Sequence, residues 1–413
     1  MSAVMIVGAG VAGLTCARRL QRDGVECVVL DAADAVGGRM RTDVVQGFRL
    51  DRGFQVLLTA YPTARQWLDY ESLSLMRFTA GALVWCEGRM CRVGDPWREP
   101  RALLATLRAP VGSLRDKVRV ATLRAAARKG SLEELFARPE TSTLQALRAH
   151  GFSPLMIERF LGPWLGGIFL ERELATSSRM LEFVLRMFAE GFAAVPAAGM
   201  QAIPEQLAAG LAPGTVRLGA PVAALEPGAV RLASGERIVA PRIVVATDGA
   251  GAAALLPEIT APMWRAVACV YFSAPASPLG EPTLALNGTG TGLVNNVVVL
   301  SDVAPSYAPA GQSLVSVSVL GAPAIDDAEL TTCVTDELMR WFGTAVEGWR
   351  WLRTYRVPQA LPIRLPLERP RPKAVRPGVW VAGDFLGSAS IQGAMESGAA
   401  VAEALVRRVA AHA

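Results

Sequence analysis

The chain has 413 residues, 51% of them hydrophobic, with 42 basic against 37 acidic side chains and a net charge of +5. That length accommodates two or three domains of roughly 150 residues and a sizeable core. No apolar run reaches the ~18 residues that span a bilayer, no basic block is interleaved with aromatics as on a nucleic-acid surface, and two histidines with no C-x-x-C pair argue against a zinc site.

The first element, "VMIVG", reads as a short buried strand. Its glycines interrupt the apolar core that a secretory signal would need, so a cytoplasmic protein is expected. Gly8, Gly10 and Gly13 follow as G-x-G-x-x-G, then a helical pattern through Gly24 and a second strand ending at Asp31. This strand–turn–helix–strand unit is the dinucleotide-binding arrangement. Gly8 permits the tight turn, Gly10 lets a pyrophosphate approach the backbone, and Gly13 lets the helix pack close to the strand. Ala12 lies in the first turn of that helix, whose free N–H groups and partial positive charge favour phosphate. Asp31, with Ala32 beside it, is placed to accept a hydrogen bond from ribose hydroxyls and to repel a 2′-phosphate.

Gly37-Gly38-Arg39 comes next. It offers a second close backbone approach and a guanidinium for phosphate charge, which points to FAD rather than NAD. Cys86 and Cys91 carry the C-x4-C spacing of a redox pair, but their setting "LVWCEGRMCRV" reads as a hairpin in a reducing compartment. Residues 83–197 are mostly helical in period. Between Arg98 and Lys129 there are nine basic and two acidic residues. The stretch 98–130 is either a solvated helix face or a peripheral membrane contact, at the inner face of a membrane. The more apolar run Phe160–Met200 is expected to line a substrate pocket.

"MQAIPEQLAAGL" reads as a helix, followed by short alternating strands and the strand "RIVVATD". The "DGAGAAALL" after it imitates a second dinucleotide motif but lacks the acidic residue ~20 positions on, so a plain strand-to-helix turn is expected. Residues 261–371 read as a second sheet ("AVACVYFSA", "NNVVVLSDV", "SLVSVSVLG") with a helix over Asp327–Gly343. Finally "PGVWVAGDF" runs a strand into Gly383-Asp384. The helix starting near Ile391 or Gln392, with Ala394 in its first turn, could sit beneath a flavin's N1–C2=O edge.

The run Gly8…Asp31…Gly38-Arg39, the strand "RIVVATD" and "AGD…SIQGAMESG" resemble the FAD-dependent amine oxidase superfamily, which includes monoamine oxidases, protoporphyrinogen oxidases and phytoene desaturases. The pattern "GFRLDRGFQVLLTAYPTA" resembles the desaturase-like branch. The resemblance implies an α/β fold: a Rossmann-type FAD-binding domain in three pieces (1–80, 198–260 and 372–413) and a second, α+β substrate domain with a helical cap (81–197 and 261–371). It implies that Gly53, Phe54 and Gln55 approach the isoalloxazine, that Val222 meets the adenine through its backbone, and that Asp384 bonds the ribityl or pyrophosphate region. FAD is expected to be noncovalent, since no cysteine lies near the C-terminal motif. The family's amine oxidases hold a lysine in the substrate sheet, and this chain has none between 130 and 372. They also cage the amine with aromatics near the C-terminal motif, where only Phe385 is close. The leading expectation is therefore hydride removal from a hydrophobic, isoprenoid-like substrate. An amine or protoporphyrinogen-type oxidase using oxygen is the alternative, and a non-redox flavin-holding isomerase or scaffold the third reading. Tyr271, Tyr307, Tyr355 and Arg356 are candidate pocket polar groups; no general base, catalytic side chain or oligomeric state is assigned.

Overall fold

The computed structural model describes residues 3–369, 372 and 374–410. Lys373, His412 and the outermost residues of the first and last assigned segments lie outside this range.

The strands Val4–Val7, Cys27–Leu30 and Ile243–Val245 are short and buried on nearly every residue. Strands covered on both faces read as unbroken apolar runs, and parallel sheets are built from them. They form the centre of a six-stranded sheet ordered Val216–Arg217, Cys27–Leu30, Val4–Val7, Ile243–Val245, Val379–Val381, Ala374–Arg376. Its first five strands run parallel and the last antiparallel. Chain segments more than 200 residues apart thus share one sheet, all from within the three pieces assigned to the cofactor domain. The helix Val11–Arg22 crosses the C-terminal helix Ile391–Ala410 closely: a Cβ on Gly398 would lie 2.0 Å from the Ala12 carbonyl oxygen. Only a residue without a side chain allows that crossing.

A seven-stranded sheet forms the second layer, ordered Arg350–Pro362, Trp264–Ala274, Ser313–Leu320, Val294–Val299, Leu284–Asn287, Gly81–Cys86, Arg89–Gly94. Along Trp264–Ala274 the two-residue period divides the side chains: Val270 and Phe272 pack under the helix Asp327–Phe342, while Cys269 and Tyr271 face the main core. The last two strands are the cysteine hairpin. It turns on Glu87 and Gly88, both at positive φ, and its edge pairs parallel to Leu284–Asn287. Both cysteines are buried and free, and burial pushes the Cys86 thiol up to about 12. A thiol so shielded is a packing group. The first twelve residues of segment 83–197 are therefore this hairpin, which long-range pairing adds to the second sheet.

Helices covering Leu103–Arg108, Leu114–Ala127, Leu132–Ala137, Thr143–Ala149, Gly162–Phe169 and Ser178–Glu190 form the cap. Ser113, Ser131 and Ser142 each start a helix with a reciprocal capping box.

Candidate active site

A single cavity of about 1510 Å³ runs from the C-terminal ends of the parallel strands to the helical cap. In open α/β sheets this end of the strands is where ligands sit. Gly8, Gly10 and Ala12 line it from the first turn, and Asp31 and Ala32 from the end of the second strand. Gly38, Arg39, Gly53, Phe54 and Gln55 form one flank, with Val222 at the far end. Gly383, Asp384, Ile391 and Ala394 close it from the C-terminal segment. Gly10 and Ile391, 381 positions apart, therefore face one space.

The turn is built as its glycines require. Gly8 has φ +113°, and a Cβ there would lie 2.6 Å from the Ala246 carbonyl oxygen. A Cβ on Gly10 would meet nothing within 4 Å, so the backbone is bare toward the cavity, and the helix behind it has no side-chain cap. Uncapped N–H groups over a bare turn fit a dinucleotide pyrophosphate. The Asp31 carboxylate is clamped between two backbone donors, accepting from Ala9 N–H at 2.5 Å and Ala33 N–H at 2.8 Å.

Two candidates lie elsewhere. Gly13 is outside the cavity lining: its missing side chain faces the Gly8 carbonyl, 2.0 Å from where a Cβ would sit, so it serves the packing of helix on turn. Gln392 is buried and points away: its amide accepts from Thr63 N–H at 2.9 Å and donates to Thr63 Oγ1 at 2.7 Å. It ties the last helix to the helix Pro62–Trp67.

Arg39 and Asp384 take different partners from those expected of phosphate and ribityl ligands. Arg39 donates to Asp384 Oδ1 at 2.6 Å and to the Ala360 carbonyl at 3.0 Å, and its guanidinium lies 5.5 Å from the Trp264 ring centre. Asp384 is 5% exposed, so its charge is met by Arg39 within the wall. The pair bridges the first and last cofactor segments. Gln55 donates to the Arg39 carbonyl at 3.0 Å, which fixes the loop carrying Phe54.

None of the four polar candidates from the second sheet reaches the cavity. Tyr271 donates to the Asp51 carbonyl oxygen and Tyr307 to Asp51 Oδ2, each at 2.9 Å. Tyr355 donates to Asp43 Oδ2 at 2.7 Å, and Arg356 binds Asp327, Pro323 and Ile325. Asp51 is fully buried; burial raises its carboxyl to about 6 against the opposing hydrogen bonds from Thr42, Met200 N–H and Tyr307. These groups brace the joint between the two layers.

What does line the deeper chamber is apolar. Phe160 and Trp164 stack at 6.0 Å between ring centres, and Trp164 leans on Phe188 at 5.3 Å. Phe152, Ile168, Phe169 and Met180 continue the wall. The segment 152–200 supplies it, as its composition suggests. Against this stands one buried ion pair: Arg265 donates to Glu171 Oε2 and to Thr176 Oγ1, and desolvation lowers the Arg265 pKa. Asn296 adds a neutral amide to the lining, held by Ser318 and Asn295. The sequence carries no motif for Arg265, because strand pairing alone brings it to the chamber. The turn after "RIVVATD" is also at the cavity: Asp248 caps the helix Gly249–Leu255 by accepting from Gly251 N–H at 2.7 Å.

A two-layer protein with a glycine-turn nucleotide cradle opening into an apolar chamber has the architecture of a flavin-dependent oxidoreductase. The family model for flavin containing amine oxidoreductases matches residues 11–406, and the chain belongs to that family. That family is described as one of flavin-containing oxidoreductases. Protoporphyrinogen oxidase 2 of Arabidopsis thaliana is 26% identical over 164 residues, 40% of this chain and 32% of that protein. Matches to the curated relatives span between 2% and 32% of their lengths. Among solved structures, an oxidoreductase from Methanosarcina mazei superposes with a TM-score of 0.76 at 18% identity, covering 97% of this chain and 100% of that one. Cyclohexylamine oxidase from Brevibacterium oxydans superposes at 0.70 with 16% identity, covering 99% of each. These structural likenesses carry the fold.

Proposed function

We propose that this protein removes hydride from a large hydrophobic substrate of isoprenoid type, held in the chamber beyond the nucleotide cradle. The observation that carries the reading is the inner chamber wall: mainly aromatic and aliphatic side chains, Arg265 neutralised from behind by Glu171, and no lysine from the substrate sheet. The cavity volume exceeds the roughly 300–1,000 Å³ of a single-ligand pocket, leaving room for FAD and a substrate together.

In this reading the bare turn at Gly8–Ala12 receives the pyrophosphate, Asp31 the adenosine ribose, and the Val222 backbone the adenine. Phe54, Gln55 and the helix start at Ile391–Ala394 border the ring. Bound FAD supplies a two-electron acceptor. The chain orients the substrate against it and excludes water. Removal of a hydride leaves a carbocation that becomes a double bond when the neighbouring carbon releases a proton, and no side chain of the wall is assigned as the acceptor of that proton. Burial of the chamber prevents hydrolysis of reactive species and strengthens the helix-end field felt by the reduced ring.

The match to protoporphyrinogen oxidase 2 favours a second reading, oxidation of a large apolar ring with oxygen as acceptor. One experiment separates them. The purified protein is loaded with FAD, and anaerobic bleaching of the flavin band is followed with a polyene precursor, a porphyrinogen and a panel of amines. Bleaching by the polyene alone is the expected result. Bleaching by amines with peroxide release in air overturns it, and a flavin that photoreduces but is bleached by none of them points to a non-redox holder.

A further inference from the structure

Seven of the thirteen large apolar side chains left exposed among the described residues fall between positions 97 and 155: Trp97, Leu103, Leu104, Leu107, Leu114, Val118 and Leu155. The helix Leu103–Arg108 is inverted. Its three leucines face solvent, and its one buried side chain is Thr106, which accepts from Gly94 N–H and donates to the Ala102 carbonyl. In the next helix, Leu114 and Val118 lie one turn apart and are 62% and 64% exposed. Apolar surface so concentrated marks a site of association rather than ordinary exposure.

This patch is also the mouth of the cavity. Trp97, Leu103, Leu107, Leu114 and Val118 line the cavity while remaining exposed, which places them on its rim. The rim is held in shape. Lys117 donates to the Leu107 and Ala109 carbonyls, locking the second helix to the end of the first. Asp116 is buried and accepts from both Ser113 and Ser153, tying the loop that carries Leu155 to the same corner. Along Arg98–Lys129 the exposed charge is predominantly positive, although exposed Glu158 stands three residues beyond Leu155. Arg101, Arg108, Arg115, Arg128 and Lys129 are exposed and form no ion pair among the described residues. Of the two acidic residues in this stretch, Asp116 is buried and engaged, leaving Glu99.

We propose that the face formed by Leu103–Arg108, Leu114–Ala127 and Leu155 docks on an anionic lipid surface, so that the cavity opens into the acyl region and the substrate enters without crossing water. The apolar rim suits insertion to the depth of the acyl boundary, the arginines suit lipid phosphates, and Trp97, with Arg124 4.7 Å from its ring centre, suits the interface between them. No helix among the described residues is long and apolar enough to cross a membrane, so the attachment is peripheral. The proposal rests on the reading of an apolar substrate, but it is tested by binding alone.

The test is flotation of the FAD-loaded protein with vesicles of phosphatidylglycerol and phosphatidylcholine, against phosphatidylcholine alone. Four positions outside the cavity lining serve as probes. Leu104→Glu combined with Leu155→Glu should reduce binding to anionic vesicles at least tenfold, with flavin absorbance and melting temperature unchanged. Each of Arg101→Gln and Arg108→Gln should weaken binding to anionic vesicles roughly fivefold, with little change on neutral ones, and binding should fall as salt is raised. Equal recovery with and without vesicles, or undiminished binding of the double glutamate variant, overturns the proposal. So does a wild-type dimer in light scattering that the glutamate variant turns into monomer with no lipid binding, which would make the face a contact between copies. Vesicle binding that fails while the flavin is still bleached by a polyene rejects the docking face and leaves the hydride reading standing.

Discussion

The proposed nucleotide cradle and the proposed substrate chamber share one cavity but are built by opposite means. The cradle is made of backbone and of side chains that are missing. The chamber is made of side chains, brought together by helices and strands scattered over more than 200 residues. A cradle of this kind is defined by spacing along the chain, whereas a chamber is defined by tertiary contacts. Substitutions should therefore act differently in the two regions: steeply and locally in the first, gradually in the second.

The largest contrast is expected inside the cradle itself. Gly13→Val would drive a branched side chain into the Gly8 carbonyl, where even a Cβ would stand at 2.0 Å. It should cost more than ~4 kcal/mol and yield no folded, yellow protein by circular dichroism and flavin absorbance. Gly10→Ala adds the same carbon three residues earlier, where nothing stands within 4 Å and φ is −73°. The melting temperature of the apoprotein should barely change, while FAD affinity falls about tenfold or more as the methyl group occupies the phosphate approach. If Gly10→Ala binds FAD as tightly as the parent, the cradle is misassigned.

Next in size is the joint between the layers. Asp51 is pushed from 3.8 to about 6 by burial. Below pH ~4 the carboxyl is protonated in both folded and unfolded states and contributes no pH dependence. Between about 4 and 6 the unfolded chain gives up its proton first, so stability falls as pH rises, by about 3 kcal/mol in all. Asp51→Asn should flatten that part of the stability–pH curve measured by denaturant unfolding. An unchanged slope would mean that the hydrogen bonds from Thr42, Met200 and Tyr307 fully offset the burial. A smaller effect is expected at Asp31→Ala, which removes the acceptor of two backbone N–H groups and should weaken FAD binding by about tenfold, read by fluorescence titration of the apoprotein.

How far the sequence could be read follows the same division. Gly8, Gly10 and Asp31 can be read together because strand, turn, helix and acid stand in a fixed register, and the fold brings all three to one cavity. The C-terminal helix was recognisable from Gly383 and Ile391 for the same reason. Gln392 was misplaced because its turn of the helix was known but its direction was not, and one residue on a helix changes the face by about 100°. Arg39 and Asp384 each looked like phosphate or ribityl ligands singly. Their pairing joins positions 345 apart and left no local trace. Arg265 and Glu171 were invisible for that reason too. The hairpin at Gly81–Gly94 was legible as two strands, but its place at the edge of the substrate sheet was set by Leu284–Asn287.

The smallest predicted effect tests the chamber by what it leaves out. Tyr355 is the half-buried tyrosine that sequence alone would nominate for the pocket, yet its hydroxyl is spent on Asp43, which Arg52 also holds. Tyr355→Phe keeps the ring against Tyr271, where the two meet edge-on at 5.9 Å. It removes one hydrogen bond to a partly exposed carboxylate that retains a second partner, which is worth about 1 kcal/mol and should lower the melting temperature by ~2 °C in a chain of this size. The rate of flavin bleaching by substrate should be unchanged, because nothing in the chamber depends on that hydroxyl. A tenfold slower bleaching step with an unaltered melting temperature would show that the joint reaches the reacting centre, and the separation drawn between bracing tyrosines and chamber wall would fail.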